Sequence, residues 1–348
     1  MLSEQQQDGH LLVYPAAPPI GRAQRLLHVN GVTSSVEKQL QDLETLVWLT
    51  LDRPLDIVGI HNSTSGYRGD LLESMMGKAE LAQLWPDRMS PENDQRLQKY
   101  ADMLKLLCDT TLPPDVDILA ELQQQRQDLA ITLGESAPQL PFDLSMVRRL
   151  PFLQNMAWED FEAYLYGSYL AGAPRPTLRL AYEVVQSIRA GSEVFILAHS
   201  QGSIIAALAL HILQRFFAPY TQWVETLHCI FYGPAVMVED LPVLIRPQTI
   251  LIQHRQDLVA EAFSNIRHVD LWTNLQNQIK SLMERADAIF ELSQEDSCHT
   301  ARHYLGQLET PDSKQAAQLL QHLLIENWRT NPVLQSLGST RIILESQV

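Results

Sequence analysis

Ser200 stands in the stretch Glu193 to Leu210, EVFILAHSQGSIIAALAL, where the residue types change abruptly. Val194 to Ala198 is a short apolar run with β-branched and aromatic residues, as in a buried strand. The residues after Gly202 have the Ala, Ile and Leu content of a buried helix. A strand that turns directly into a helix at His199-Ser200-Gln201-Gly202 must hold its apex residue in a strained backbone conformation. Such strain is tolerable only between small neighbours, and Ala198 and Gly202 are small. The apex serine then presents its hydroxyl above the sheet, at a helix N-terminus that favours negative charge. This is the setting of a nucleophile, because a serine hydroxyl attacks a carbonyl once a neighbouring base takes its proton. The simpler alternative is that Ser200 only caps the helix, but a cap does not require small residues on both sides.

The elbow resembles that of the α/β-hydrolase superfamily, in particular its lipase- and esterase-like members, whose pattern is G-x-S-x-G. Ala198 stands in place of the first glycine. The resemblance covers Arg22 to His61 and Leu178 to His303, and it implies a triad in the chain order Ser, Asp, His. It also implies two backbone donors for an oxyanion. One is the N–H of Gln201, directly after the nucleophile. The other, by position, is the N–H of Val32, after the Asn30-Gly31 turn that ends the strand Arg25 to Val29. Asn-Gly is also an ordinary turn.

The acid of the implied triad is Asp257, because Gln248 to His254, QTILIQH, reads as a buried strand followed at once by Arg255-Gln256-Asp257-Leu258-Val259. Asp270 and Asp296 are its alternatives. The base is His299 in Ser297-Cys298-His299-Thr300, a loop before a helical stretch that starts near Ala301. His303 competes with it but would lie inside that helix. Cys298 reads as a small semi-buried thiol rather than a second nucleophile, since nothing in the sequence places a base beside it.

The elements that must position these residues follow in order. Leu11 to Tyr14 is an edge strand, and Ser34 to Leu51 is an amphipathic helix with Val36, Leu40, Leu43, Val47 and Leu51 on one face. Asp56 to His61 is the next strand of a parallel sheet. Its end brings His61 and Asn62 to the edge where ligands collect, as candidate substrate-binding residues or as loop closure. The expected fold is α/β, a mostly parallel sheet flanked by helices, the α/β-hydrolase fold. Its core is residues 1–66 and 173–348, and residues 67–172 form a helical cap or lid insertion. Pro176 to Ala190 is a helix, Thr226 to Gly233 a buried strand, and Asp312 to Asn327 an amphipathic helix docked on the sheet.

The chain has 348 residues, a net charge of −15 and three cysteines. The charge argues against nucleic acid and anionic membranes as the main partner. The cysteines are too few for a disulfide framework and too far apart for a metal knuckle. The triad chemistry itself calls for no metal or organic cofactor, so none is expected. No apolar h-region or membrane-spanning run is present, and a cytoplasmic location is expected, with no integral membrane segment. The reading that unites these points is a serine hydrolase of a carboxylic ester, acting on a small-molecule or lipid-like acyl substrate. The alternatives are an acyltransferase or thioesterase with the same triad, or a non-catalytic binding protein of the same fold. Oligomeric state is not legible in the sequence.

Overall fold

Strands buried on both faces read as continuous apolar runs, and five such runs build the centre of the sheet. The computed structural model describes residues 7–14, 24–32, 34–53, 55–63, 73–74, 77–78, 80–125, 174–257, 259–261, 297–326 and 331–345. Its strands are β1 (Leu11–Val13), β2 (Gln24–Val29), β3 (Asp56–Ile60), β4 (Glu193–His199), β5 (Leu227–Tyr232), β6 (Thr249–His254) and β7 (Thr340–Leu344). They form one seven-stranded sheet in the order β1-β3-β2-β4-β5-β6-β7. Only β1 is antiparallel to its neighbour. This is an α/β architecture, and β7 is the one strand that the sequence reading did not anticipate.

Alternation along β4 divides the core into two layers. Val194, Ile196 and Ala198 face one helical layer, while Phe195 and Leu197 face the other. In the second layer, α1 (Val36–Leu49) sets Leu43 and Leu46 against Leu26 and Ile57. Ser35 caps α1 by accepting from the Lys38 N–H at 3.2 Å. The helix stops at Leu49, before Leu51, which is 59% exposed, and Thr50 closes its last turn with its N–H and hydroxyl both donating to the Leu46 carbonyl.

On the first layer lie α2 (Pro91–Leu107), α3 (Ile118–Gln125), α4 (Pro174–Arg189) and α5 (Gln201–Phe217). Leu97, Leu104, Leu107 and Ile118 share a core with Leu178 of α4 and with Ile204 and Leu208 of α5. Residues 80–125, expected in a lid, therefore lie in the helical layer beside the elbow helix. The buried Lys78 ammonium and the Trp85 indole N–H both reach the Asp240 carboxylate, tying this stretch to the segment after β5. Apart from residues 73–74 and 77–78, the rest of the expected lid, including Phe152, Trp158, Phe161 and Tyr166, lies outside the described residues. Three helices lie toward the C-terminus, α6 (Ala301–Tyr304), α7 (Pro311–Ile325) and α8 (Pro332–Ser336), and α7 buries Leu320, Leu323 and Leu324 in the second layer. Among the described residues no helix is long and apolar enough to cross a membrane.

Register places the ends of β2, β4 and β5 side by side, with Val29 opposite Ala198 and His199 opposite Tyr232. Loops leaving these ends therefore converge on Ser200.

One buried acid makes the second layer sensitive to pH. Asp42 on α1 has its pKa pushed up from 3.8 to about 7, chiefly by burial, although Gln307 donates to it at 3.2 Å. An acid whose folded pKa exceeds its unfolded value costs stability as pH rises between the two. Asp42→Asn is thus expected to stabilise the protein over wild type above pH 7. Its advantage should shrink by about 1.4 kcal/mol for each pH unit down to about 4. Urea denaturation at several pH values measures this, and a difference independent of pH would contradict it.

Candidate active site

The backbone at Ser200 adopts φ 49° and ψ −122°, a region that non-glycine residues rarely occupy and that costs about 1–3 kcal/mol. It is held there by close approach of the neighbouring loop. A Cβ on Gly202 would stand 2.5 Å from the Val29 carbonyl oxygen, and one on Gly31 would stand 2.8 Å from the Ser200 Cβ. Only glycine lets the end of β2 lie this close to the elbow. Ser203 braces the turn, its hydroxyl donating to the Ser200 carbonyl at 2.5 Å and accepting from the Ala235 N–H at 3.0 Å.

From this elbow the Ser200 Oγ reaches the His299 Nε2 at 2.8 Å. The His299 Nδ1 lies 2.9 and 3.0 Å from the two carboxylate oxygens of Asp257. All three residues are buried, Ser200 at 3% exposure, His299 at 9% and Asp257 at 1%. Asp257 also accepts from the Tyr304 hydroxyl at 2.8 Å and the Ala260 N–H at 2.8 Å. Burial alone would raise its pKa. The charge and hydrogen bond of His299, with these two further donors, hold it below the usual carboxylate range. The acid therefore remains ionised beside the imidazole.

Local turns put the base in place. The Thr300 N–H donates to the Ser297 carbonyl at 3.1 Å, and Thr300 caps α6 by accepting from the His303 N–H at 3.3 Å. His199, the residue before Ser200, fixes the same turn, because its Nε2 bonds the His299 carbonyl at 2.6 Å. Burial, with the charge of His299 next, pushes the His199 pKa down to about 3, so it serves as a neutral donor. Tyr304 links the acid to the sheet, its hydroxyl accepting from the His254 N–H at 2.8 Å while donating to Asp257. Burial and the Asp257 charge raise the Tyr304 pKa well above its ordinary value, which keeps it a donor. His199 and Tyr304 were not singled out in the sequence. His199 had a signal in its position next to Ser200, whereas Tyr304 had none.

Ser200, Asp257 and His299 thus come together from the three regions expected. His303 packs its ring against His254 with centroids 5.0 Å apart. Asp270 and Asp296 lie outside the described residues. Gln201 begins α5, so its N–H has no acceptor one turn back in its own helix. Val32 lies in the turn after Gly31, partly buried. Asn62 holds the Gln201 side chain, its Nδ2 donating to Oε1 at 2.8 Å, and exchanges two bonds of 2.8 Å with Asn30. His61 bonds the Gln39 Oε1 through Nδ1 at 2.8 Å. The structure therefore gives both residues a part in joining the ends of β2 and β3. The half-buried Cys298 thiol has its pKa raised by burial and then by the Asp257 and Asp312 carboxylates, which keeps it protonated.

No protein-family model matches the chain, and no curated protein or solved structure matches it either.

The fit of Gly202 against β2 gives a direct test. In an ordinary helix Gly→Ala stabilises by up to about 1 kcal/mol. Gly202→Ala is instead expected to destabilise by about 2 kcal/mol, because the methyl would meet backbone oxygen. A raised thermal midpoint would show that this close approach does not hold.

Proposed function

We propose that the chain is a serine hydrolase of the α/β-hydrolase superfamily that cleaves a carboxylic ester through an acyl-enzyme. The observation that carries this reading is the relay from Ser200 Oγ through His299 to Asp257, with contacts of 2.8 and 2.9 Å on a strained elbow. Strand order supports the same assignment. The nucleophile follows β4, the acid follows β6 and the base comes later in the chain, which is the order Ser, Asp, His.

His299 Nε2 takes the Ser200 proton as Oγ bonds to the ester carbonyl carbon, and the carbonyl electron pair moves onto oxygen. Asp257 stays ionised, holds the proton on His299 Nδ1 and stabilises the imidazolium. The N–H groups of Gln201 and Val32 meet the oxyanion, each worth about 2.7–4 kcal/mol of barrier lowering in sites of this kind. Collapse breaks the carbon–oxygen bond to the alcohol, which leaves with the proton from His299. Water, deprotonated by His299, then attacks the acyl group on Ser200 and restores the hydroxyl. The reaction needs no cofactor.

A fluorophosphonate probe should label Ser200 in the folded chain, with the modified residue located by peptide mass spectrometry. Ser200→Ala should lose labelling and reduce hydrolysis of p-nitrophenyl acetate by about 10⁴-fold or more. Turnover retained in that variant would end the reading.

A second prediction separates the two histidines. His299→Ala should cost as much as Ser200→Ala because triad members act as a unit, whereas His303→Ala should keep most activity. Loss at His303 with activity retained at His299 would reverse the assignment.

A further inference from the structure

We propose that His254, Cys298 and His303 form a metal site for zinc or a similarly thiophilic divalent ion, next to the triad and separate from it. The three come from the end of β6, the turn that carries His299 and helix α6. One ligand atom from each, nitrogen or sulfur, lies within 4.8 Å of the others.

One unpartnered nitrogen points to a ligand at this place. The Nε2 of His303 is buried and makes no hydrogen bond, although the residue is 3% exposed. A buried polar atom left without a partner costs about 1–3 kcal/mol, so one set beside two other metal-ligating side chains calls for an explanation beyond packing. Tyr304 does not relieve it, since its hydroxyl is committed to the His254 N–H and to Asp257. The Asp312 Oδ2 lies 3.3 Å from the His254 Nε2, which adds negative charge and a fourth donor atom. Cys298 is only partly buried and gives the cluster a side open to solvent.

Donor chemistry selects the ion. Two imidazoles and a thiolate suit a tetrahedral zinc ion and poorly suit calcium or magnesium, which take oxygen ligands. Bonds of about 2.0–2.3 Å put neighbouring ligand atoms roughly 3.3–3.6 Å apart, so the cluster needs to contract by about one ångström. Rotation of the partly exposed Cys298 side chain is the easiest way to achieve that. Binding releases the thiol proton to solvent and requires His254 to carry its proton on Nδ1, which gives up the 3.2 Å bond that this atom accepts from the Gln256 N–H. Since Cys298 and His303 flank His299 in the chain, an ion held here ties both sides of the catalytic turn to the end of β6.

The test uses the full chain, stripped with a chelator and titrated with Zn²⁺ by calorimetry and with Co²⁺ by absorption spectroscopy. One ion per chain at micromolar or tighter affinity is expected, with a thiolate-to-cobalt charge-transfer band. Cys108 and Cys229 are buried in the core, so that band reports on Cys298. Cys298→Ala should abolish the band and weaken zinc binding about tenfold or more, and zinc should raise the thermal midpoint of wild type but not of this variant. His303→Gln should weaken zinc binding likewise. Circular dichroism checks both folds, and if His303→Gln fails to fold, Cys298→Ala decides. Wild type that binds no zinc tighter than millimolar, or folded Cys298→Ala that binds it as wild type does, overturns the proposal. Neither result bears on the labelling of Ser200, so the two readings fail separately.

Discussion

The carbonyl oxygens of Val29 and Asn30 lie so close to the start of α5 that no side chain fits at position 202. This contact fixes the elbow. It holds β2 and β4 in register at their ends, forces the chain to turn at Ser200, and aims the serine hydroxyl at the incoming histidine. The positive φ of Ser200 is strain that the packing around it must outweigh, and the buried layers on both faces of β4 supply that packing. A looser fit would let the elbow relax and would move the hydroxyl away from the imidazole.

Around the elbow, polar groups are desolvated and then matched. Asp257 is buried yet receives His299, Tyr304 and the Ala260 N–H. Tyr304 in turn receives the backbone of β6, so the carboxylate is oriented by a group anchored in the sheet. His199 does the corresponding service for the base through the His299 carbonyl. The orientation of Asp257 and His299 thus rests on residues that are themselves held by the core. Polar groups fixed in this way need no reorganisation when charge develops beside them.

Much of this was legible in the sequence, for identifiable reasons. The central strands are buried on both faces, so their apolar runs at Leu26–Val29, Val194–Ala198 and Ile250–Ile252 stand out. Ser200 was visible because strain demands small neighbours, and Asp257 and His299 because a strand end and a turn before a helix frame them. What escaped notice was set by tertiary contact. Tyr304 looks like any helical aromatic until the end of β6 is placed beside it. The strand β7 is half exposed, with Ile343 at 41% exposure, and its short apolar run Ile342–Leu344 is bounded by Arg341 and Glu345. Residues 80–125 carry helical periodicity that does not reveal which layer they join. For His61 and Asn62 the sequence leaves substrate binding and loop closure both open, and their hydrogen bonds to Gln39, Asn30 and Gln201 are of the second kind.

The bond between Ser200 and His299 spans 99 residues of chain, which bears on how the protein is made. Synthesis proceeds from the N-terminus, so the elbow and its two flanking strands β2 and β4 can be assembled while His299 has yet to be added. During that interval Ser200 has no histidine beside it. Helix α7, which follows the histidine, buries its apolar face in the layer that holds Tyr304 and Leu305. The contact between Ser200 and His299 is therefore completed late, with the docking of the C-terminal elements.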